Sequence, residues 1–96
     1  MRKTLFNTKV TIEKMEKTLS KENVWVSEYS FWKELWASVF LKDISPRRTL
    51  YFFTIKWNRD FPNIFRVKIN DKIFIPTQLP IADTSKDEIL FHATMN

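Results

Sequence analysis

Val24–Leu41 reads VWVSEYSFWKELWASVFL, and two periods compete in it. At period two, Phe31, Leu35, Ala37 and Val39 share a face that Lys33 interrupts. At period 3.6, Trp32, Trp36, Val39 and Phe40 make a stripe along a helix. Aromatic and β-branched content favours the strand. Val24-Trp25-Val26 reads as a short strand of its own. A strand here makes the whole chain all-β, because the segments on either side alternate.

Upstream, Val10 and Ile12 alternate with Thr11 and Glu13, the pattern of a half-buried strand. Glu16 to Asn23 is polar and reads as a solvated loop or hairpin tip. Downstream, Lys42 to Arg48 holds Asp43, Ser45 and Pro46 and reads as a connection. Thr49 to Trp57 is the clearest strand. Tyr51, Phe53, Ile55 and Trp57 take one face, Leu50, Phe52, Thr54 and Lys56 the other, so it is expected to be covered on both sides. Asn58 to Asn63, with Asp60 and Pro62, is a turn. Phe65, Val67 and Ile69 form the next strand, and Ile73-Phe74-Ile75 its return. Asn70-Asp71 between them is the best glycine-free choice for a two-residue hairpin, whose turn needs positive φ. Pro76 and Pro80 push Thr77 to Ala82 toward an edge or an irregular extension. Asp83 to Asp87 is a loop, and Ile89, Phe91, Ala93 and Met95 alternate in a last strand.

The expected fold is therefore all-β: a small antiparallel β-barrel or sandwich of six to seven short strands. At 96 residues the chain is one domain, residues 1–96, with 1–7 a flexible N-terminal arm.

Composition removes most enzyme classes. There is no cysteine, hence no disulfide scaffold, cysteine-ligated zinc or thiol nucleophile. There is no glycine, hence no P-loop, dinucleotide fingerprint, nucleophile elbow or usual EF-hand. The single histidine, His92, falls on the face opposite Ile89, Phe91 and Ala93 and reads as a surface or rim residue. Asp83, Asp87 and Glu88 sit in or beside one loop, where a solvated turn is far commoner than an acid–base pair. Ser27, Ser30, Ser38, Ser45 and Ser85 lack a nucleophile's context. The chain is expected to catalyse nothing and to hold no cofactor or metal.

Net charge is +5, and the excess is uneven. Residues 1–50 carry ten Lys/Arg against six Asp/Glu, whereas residues 51–96 carry six against five. That asymmetry suggests an acidic partner or passing nucleic acid, beside the plainer reading of solubility. Lys42, Arg47 and Arg48 flank one loop and are candidate phosphate or partner contacts. Aromatics reach 16% of the chain; Trp32, Trp36, Phe53 and Trp57 are candidates for the core or for a subunit interface. Stacking on single-stranded nucleic acid by a small nucleic-acid-binding barrel is the alternative. No apolar run approaches the ~18 residues of a membrane span. Met1-Arg2-Lys3 is followed by no signal-peptide core. The expected place is the cytoplasm, unless the protein leaves within an assembly.

The order of segments resembles the head–tail adaptor or head-closure family of tailed bacteriophages, including the joining proteins of gene transfer agents. Lys9-Val10-Thr11-Ile12-Glu13 is similar to the family's opening strand. Trp32-Lys33-Glu34-Leu35-Trp36-Ala37-Ser38-Val39 resembles its Trp-x-x-x-Trp-Ala-x-Val segment. Phe53-Thr54-Ile55-Lys56-Trp57 resembles the next strand; Phe65-Arg66-Val67 and Lys72-Ile73-Phe74-Ile75 resemble its hairpin. The resemblance spans about residues 8–95 and favours the strand reading over Tyr29–Leu41. Two departures stand out. The family's long connection, often with a helix, shrinks here to residues 40–52, which argues against a role in plugging a channel. Asn70-Asp71 replaces the usual Asp-Gly turn. The resemblance implies a structural protein of the particle, monomeric until it joins a ring below the portal. That ring closes the DNA-filled head and docks the tail, its partners being the portal or adaptor ring, tail-completion proteins and the DNA in the channel.

Overall fold

The computed structural model describes residues 6–44 and 49–95, and over these it contains strands, turns and bends but no helix. In chain order the strands are β1 (Thr8–Leu19), β2 (Trp25–Ile44), β3 (Thr49–Lys56), β4 (Phe65–Ile69), β5 (Lys72–Pro76), β6 (Ile81–Asp83) and β7 (Glu88–Met95). Every pairing is antiparallel. The hydrogen-bonded order is β3-β2-β1-β4-β5-β7-β6, and β3 also pairs with β7. One sheet thus closes on itself instead of forming two stacked layers. Of the expected arm over residues 1–7, residues 1–5 lie outside the described residues.

β5 and β6 follow one another along the same side of β7. Pro76 lies opposite Ala93, the Thr77 amide donates to the His92 carbonyl (2.9 Å), and Ile81 resumes opposite Leu90. Gln78, Leu79 and Pro80 leave the ladder between them. The two prolines explain the break, since neither can donate a ladder hydrogen bond.

The inward side chains fill the ring. Val10, Ile12, Ala37, Phe53, Ile55, Phe65, Val67, Phe74, Ile89, Phe91 and Ala93 make one buried cluster. Its centre is aromatic: Phe53 and Phe91 stack at 5.0 Å with rings 6° from parallel. Phe65 meets Phe91 edge-on at 4.9 Å, and Phe74 meets Phe53 at 5.5 Å. Phe61, on the β3–β4 connection, packs edge-on against Phe65 and Trp32 and covers one end of the ring. Edge-on and stacked rings fill irregular volume while adding attraction beyond area burial.

β1 and β2 are longer than the sequence segments suggest. Glu16–Leu19, polar in sequence, continues β1, and Val24-Trp25-Val26 leads directly into β2. Their register runs from Thr8 opposite Ala37 to Leu19 opposite Trp25. β4 ends its pairing with β1 at Lys14, so the hairpin beyond it projects as a two-stranded arm. The radius of gyration, 14.7 Å, and extents of 55 × 36 × 22 Å reflect that arm. A compact chain of this length has a radius of gyration near 12–13 Å.

Two irregularities shape β2. Ile12 pairs with Lys33 but Glu13 pairs with Phe31, leaving Trp32 as an extra residue turned onto the core. Leu41 pairs with Tyr51 but Asp43 pairs with Leu50, leaving Lys42 extra. Bulges of this kind bend a strand and re-aim side chains. The bulge at Trp32 also explains the mixed period of Val24–Leu41: inward positions change parity within the strand.

Without glycine, left-handed backbone falls to Asn23 (φ 62°), Asn70 (φ 56°) and Asp87 (φ 58°). Asn70 turns the β4–β5 hairpin as the sequence predicts, next to Ile69 opposite Lys72. Asn23 closes the arm's tip, its amide donating to the Ser20 carbonyl at 3.0 Å.

Two stability predictions follow from this packing. Phe53→Ala removes one of the two fully buried rings of the stack and should cost about 3–5 kcal/mol in urea unfolding; a loss under about 1 kcal/mol would contradict the core described. Asn70→Ala should cost about 1 kcal/mol because a Cβ-bearing residue without a polar tip resists left-handed backbone. Asn70→Gly should cost less than Asn70→Ala.

Candidate interaction surface

Exposed apolar side chains are scattered, Ile64, Leu79 and Ile81 among them, but two groups stand out. The first is the arm. Leu19, Val24 and Trp25 are exposed at its tip, Trp25 at 69%. The cross-strand register places Leu19 and Trp25, Lys17 and Ser27, and Met15 and Tyr29 on one face of the arm. Thr18 and Val26, Glu16 and Glu28, and Lys14 and Ser30 share the other. Lys14 Nζ reaches Glu16 Oε1 at 3.0 Å. That lysine first, then the Ser30 hydroxyl, holds the Glu16 carboxyl below its ordinary pKa.

The second is the outer face of the ring. Phe40, Phe52 and His92 form a row across β2, β3 and β7. Phe40 is 57% exposed, and the His92 ring lies 5.0 Å from Phe52. His92 is outward, as its alternation with Ile89, Phe91 and Ala93 implies. Its Nε2 is buried, with no hydrogen-bond partner among the described residues. Lys42, displaced by its bulge, sets Nζ 5.7 Å from the Phe52 ring centroid. Of the three basic candidates Lys42 is thus exposed beside an aromatic row, while Arg47 and Arg48 lie outside the described residues.

Around the ring, the outer face of β1, β2 and β4 carries a mixed-charge groove of about 480 Å³ that includes Lys9, Phe31, Glu34 and Lys68. Lys9 Nζ pairs with Glu34 Oε2 at 3.0 Å. Arg66 Nε donates to Glu13 Oε1 at 2.6 Å, and its guanidinium lies 4.3 Å from the Tyr29 ring centroid. This Arg66 cluster is not legible in the sequence, because its members come from three strands and meet only through the sheet register.

The four singled-out aromatics separate. Phe53 is fully buried and Trp32 packs on the core through Phe61 at 5.5 Å. Trp36 points outward opposite Lys9, and Trp57 lies just beyond β3; they are 56% and 45% exposed. No single surface joins all four.

The acidic loop is a turn. Asp83 Oδ1 accepts from the Ser85 hydroxyl (2.6 Å) and the Ser85 amide (3.2 Å). The Ser85 hydroxyl is the main reason the Asp83 carboxyl sits below its ordinary pKa. Among the described residues no three His, Cys, Asp or Glu side chains gather as metal ligands.

The Asp83 turn is testable by carboxyl NMR titration. Asp83 should titrate below an ordinary aspartate, and Ser85→Ala should move it back upward. A carboxyl whose folded pKa is depressed adds stability above its unfolded pKa and loses it as pH falls through the folded value. The turn's contribution should therefore fade only on the acid side, and an unchanged midpoint in Ser85→Ala would exclude the hydroxyl as its cause.

No family model and no curated protein matches the chain. Solved structures share the fold, two of them as follows. A protein of Shigella flexneri 2a, solved in solution, superposes with a TM-score of 0.80 at 14% identity over 98% of this chain and 96% of its own. A chain from the virion of a native gene transfer agent particle superposes with a TM-score of 0.72 at 13% identity, covering 93% and 92%. At these identities the likeness is one of fold, and it extends over nearly the whole of each chain.

Proposed function

We propose that this chain is a structural subunit of a phage-like particle, and within it a subunit of the head–tail connector. In this reading copies form a ring below the portal or adaptor ring, close the DNA-filled head and dock the tail-completion proteins. The observation that carries it is the ordered set of four motifs from Lys9 to Ile75, lying on a closed antiparallel sheet like that of a virion chain. The exposed apolar arm and the outer Phe40–Phe52–His92 row support an assembly role, since soluble monomers rarely expose such groups together without a partner. The chain acts by contact and catalyses nothing. It is made in the bacterial cytoplasm and ends in the particle. Lys42, with Arg47 and Arg48, would meet packaged DNA or a neighbouring subunit.

A second reading, a small nucleic-acid-binding barrel, is favoured by one observation. Phe31 and Trp36 are exposed on the same outer face as Lys9 and Lys68, and cations flanking exposed rings suit base stacking.

Deleting the gene from its producing strain and imaging the released particles separates the two. The connector reading predicts free tails beside tailless heads that have lost DNA, with joined particles restored on complementation. Normal tailed particles would overturn it. Salt-sensitive oligonucleotide binding well below the ~10⁻⁴–10⁻⁶ M of non-specific contact would then favour the second reading.

A further inference from the structure

β2 exposes a long free edge. It pairs with β1 from Trp25 to Ala37, and only from Ala37 onward does β3 join its other side. Between Trp25 and Trp36 that other side makes no backbone hydrogen bond among the described residues. The arm behind it is two-stranded, a ribbon that is marginal in water unless more strands are added. A long unpaired edge is a template for strand addition.

We propose that a second copy of this chain pairs with this edge, β2 against β2 in antiparallel register across a two-fold axis. Antiparallel partners directly opposite must both turn their N–H and C=O groups toward each other or both away. On an unbroken strand, only residues an even number of positions apart satisfy this in a self-contact. The extra residue Trp32 reverses the rule for residues on either side of it. The register that sets Trp25 opposite Trp36 obeys the reversed rule and spans the whole free edge. It brings Val26 opposite Leu35, Ser27 opposite Glu34 and Glu28 opposite Lys33 of the second copy.

Charge supports this register. Glu28 already faces Glu16 across the β1–β2 pair, a like-charge juxtaposition that destabilises a sheet. Glu28 and Lys33 are both exposed, and neither makes an ion pair among the described residues. They lie on the same face, since Glu28 pairs with Glu16 and Lys33 with Ile12. The two-fold forms the Glu28–Lys33 pair twice. It also converts two marginal ribbons into one four-stranded sheet. The contact is isologous and closes at two copies, so a connector ring uses other surfaces or exchanges this one on assembly. This dimer stands independently of the connector reading, and it revises the expected isolated monomer, because the free edge is visible only in the register.

The test is sedimentation equilibrium of the full chain from about 1 µM to about 1 mM. A monomer–dimer equilibrium is expected. Glu28→Lys and Lys33→Glu should each weaken it about tenfold, and the double reversal should restore it. As a second probe, Ser27→Cys with Glu34→Cys should form a disulfide dimer on mild oxidation. The two positions lie roughly 23 Å apart within one chain, too far to bridge internally, and the protein has no native cysteine. A monomer at every concentration overturns the proposal and leaves the edge to a strand of another protein. A dimer indifferent to both reversals, or cross-linked no faster than either single cysteine variant, overturns the register.

Discussion

Seven cross-strand pairs between β3 and β7, from Leu50 opposite Thr94 to Lys56 opposite Glu88, join what would otherwise be two ends of an open sheet. The rest of the structure rests on that ladder. It brings Phe53 beside Phe91, and the stack of those two rings is the centre about which Phe65 and Phe74 are arranged. It also gives β3 a neighbour on both sides, which is why Thr54 is buried although it points away from the core. The partners are far apart in sequence, so the chain must close a large loop before this pairing returns anything.

The second constraint is the missing glycine. Turns that need left-handed backbone fall on Asn23, Asn70 and Asp87, whose short polar side chains tolerate it. Where the sheet must bend, it uses extra residues rather than glycine kinks. Trp32 and Lys42 are both such residues, and the two bulges do different work. One drives an indole inward to meet Phe61; the other swings a lysine outward over Phe52.

Much of the fold was legible in the sequence for a simple reason. A strand buried on one face must alternate, as Phe65-Arg66-Val67 and Ile89 to Met95 do, while Thr49 to Trp57, apolar at first on both faces, reads as a strand covered on both sides. The Asn70-Asp71 turn was legible because positive φ is chemically selective. The arm was not, since beyond β4 it faces solvent on both sides and no burial imposes alternation on Glu16–Leu19. The bulge at Trp32 was hidden for the converse reason: it changes the parity of the inward face, so neither period fits the whole of Val24–Leu41. The surface was least legible. Phe31 and Trp36 belong to the same apolar stretch as Trp32 and Ala37, yet only the register says which of them face out.

A ring of this size needs only one set of inward side chains to be stable, and the described residues supply it with one contiguous cluster. Trp25, Phe31, Trp36 and Phe40 add nothing to that cluster and leave apolar surface in water at a cost to solubility. Each lies on β2, the strand that runs from the arm's tip to the far rim of the ring. One strand thus serves two purposes: between bulges it contributes Leu35, Ala37 and Val39 to the core, and along the rest of its length it presents rings and a bare edge. The exposed rings of Trp25, Phe31, Trp36 and Phe40 are thereby spread along the 20 residues of that strand.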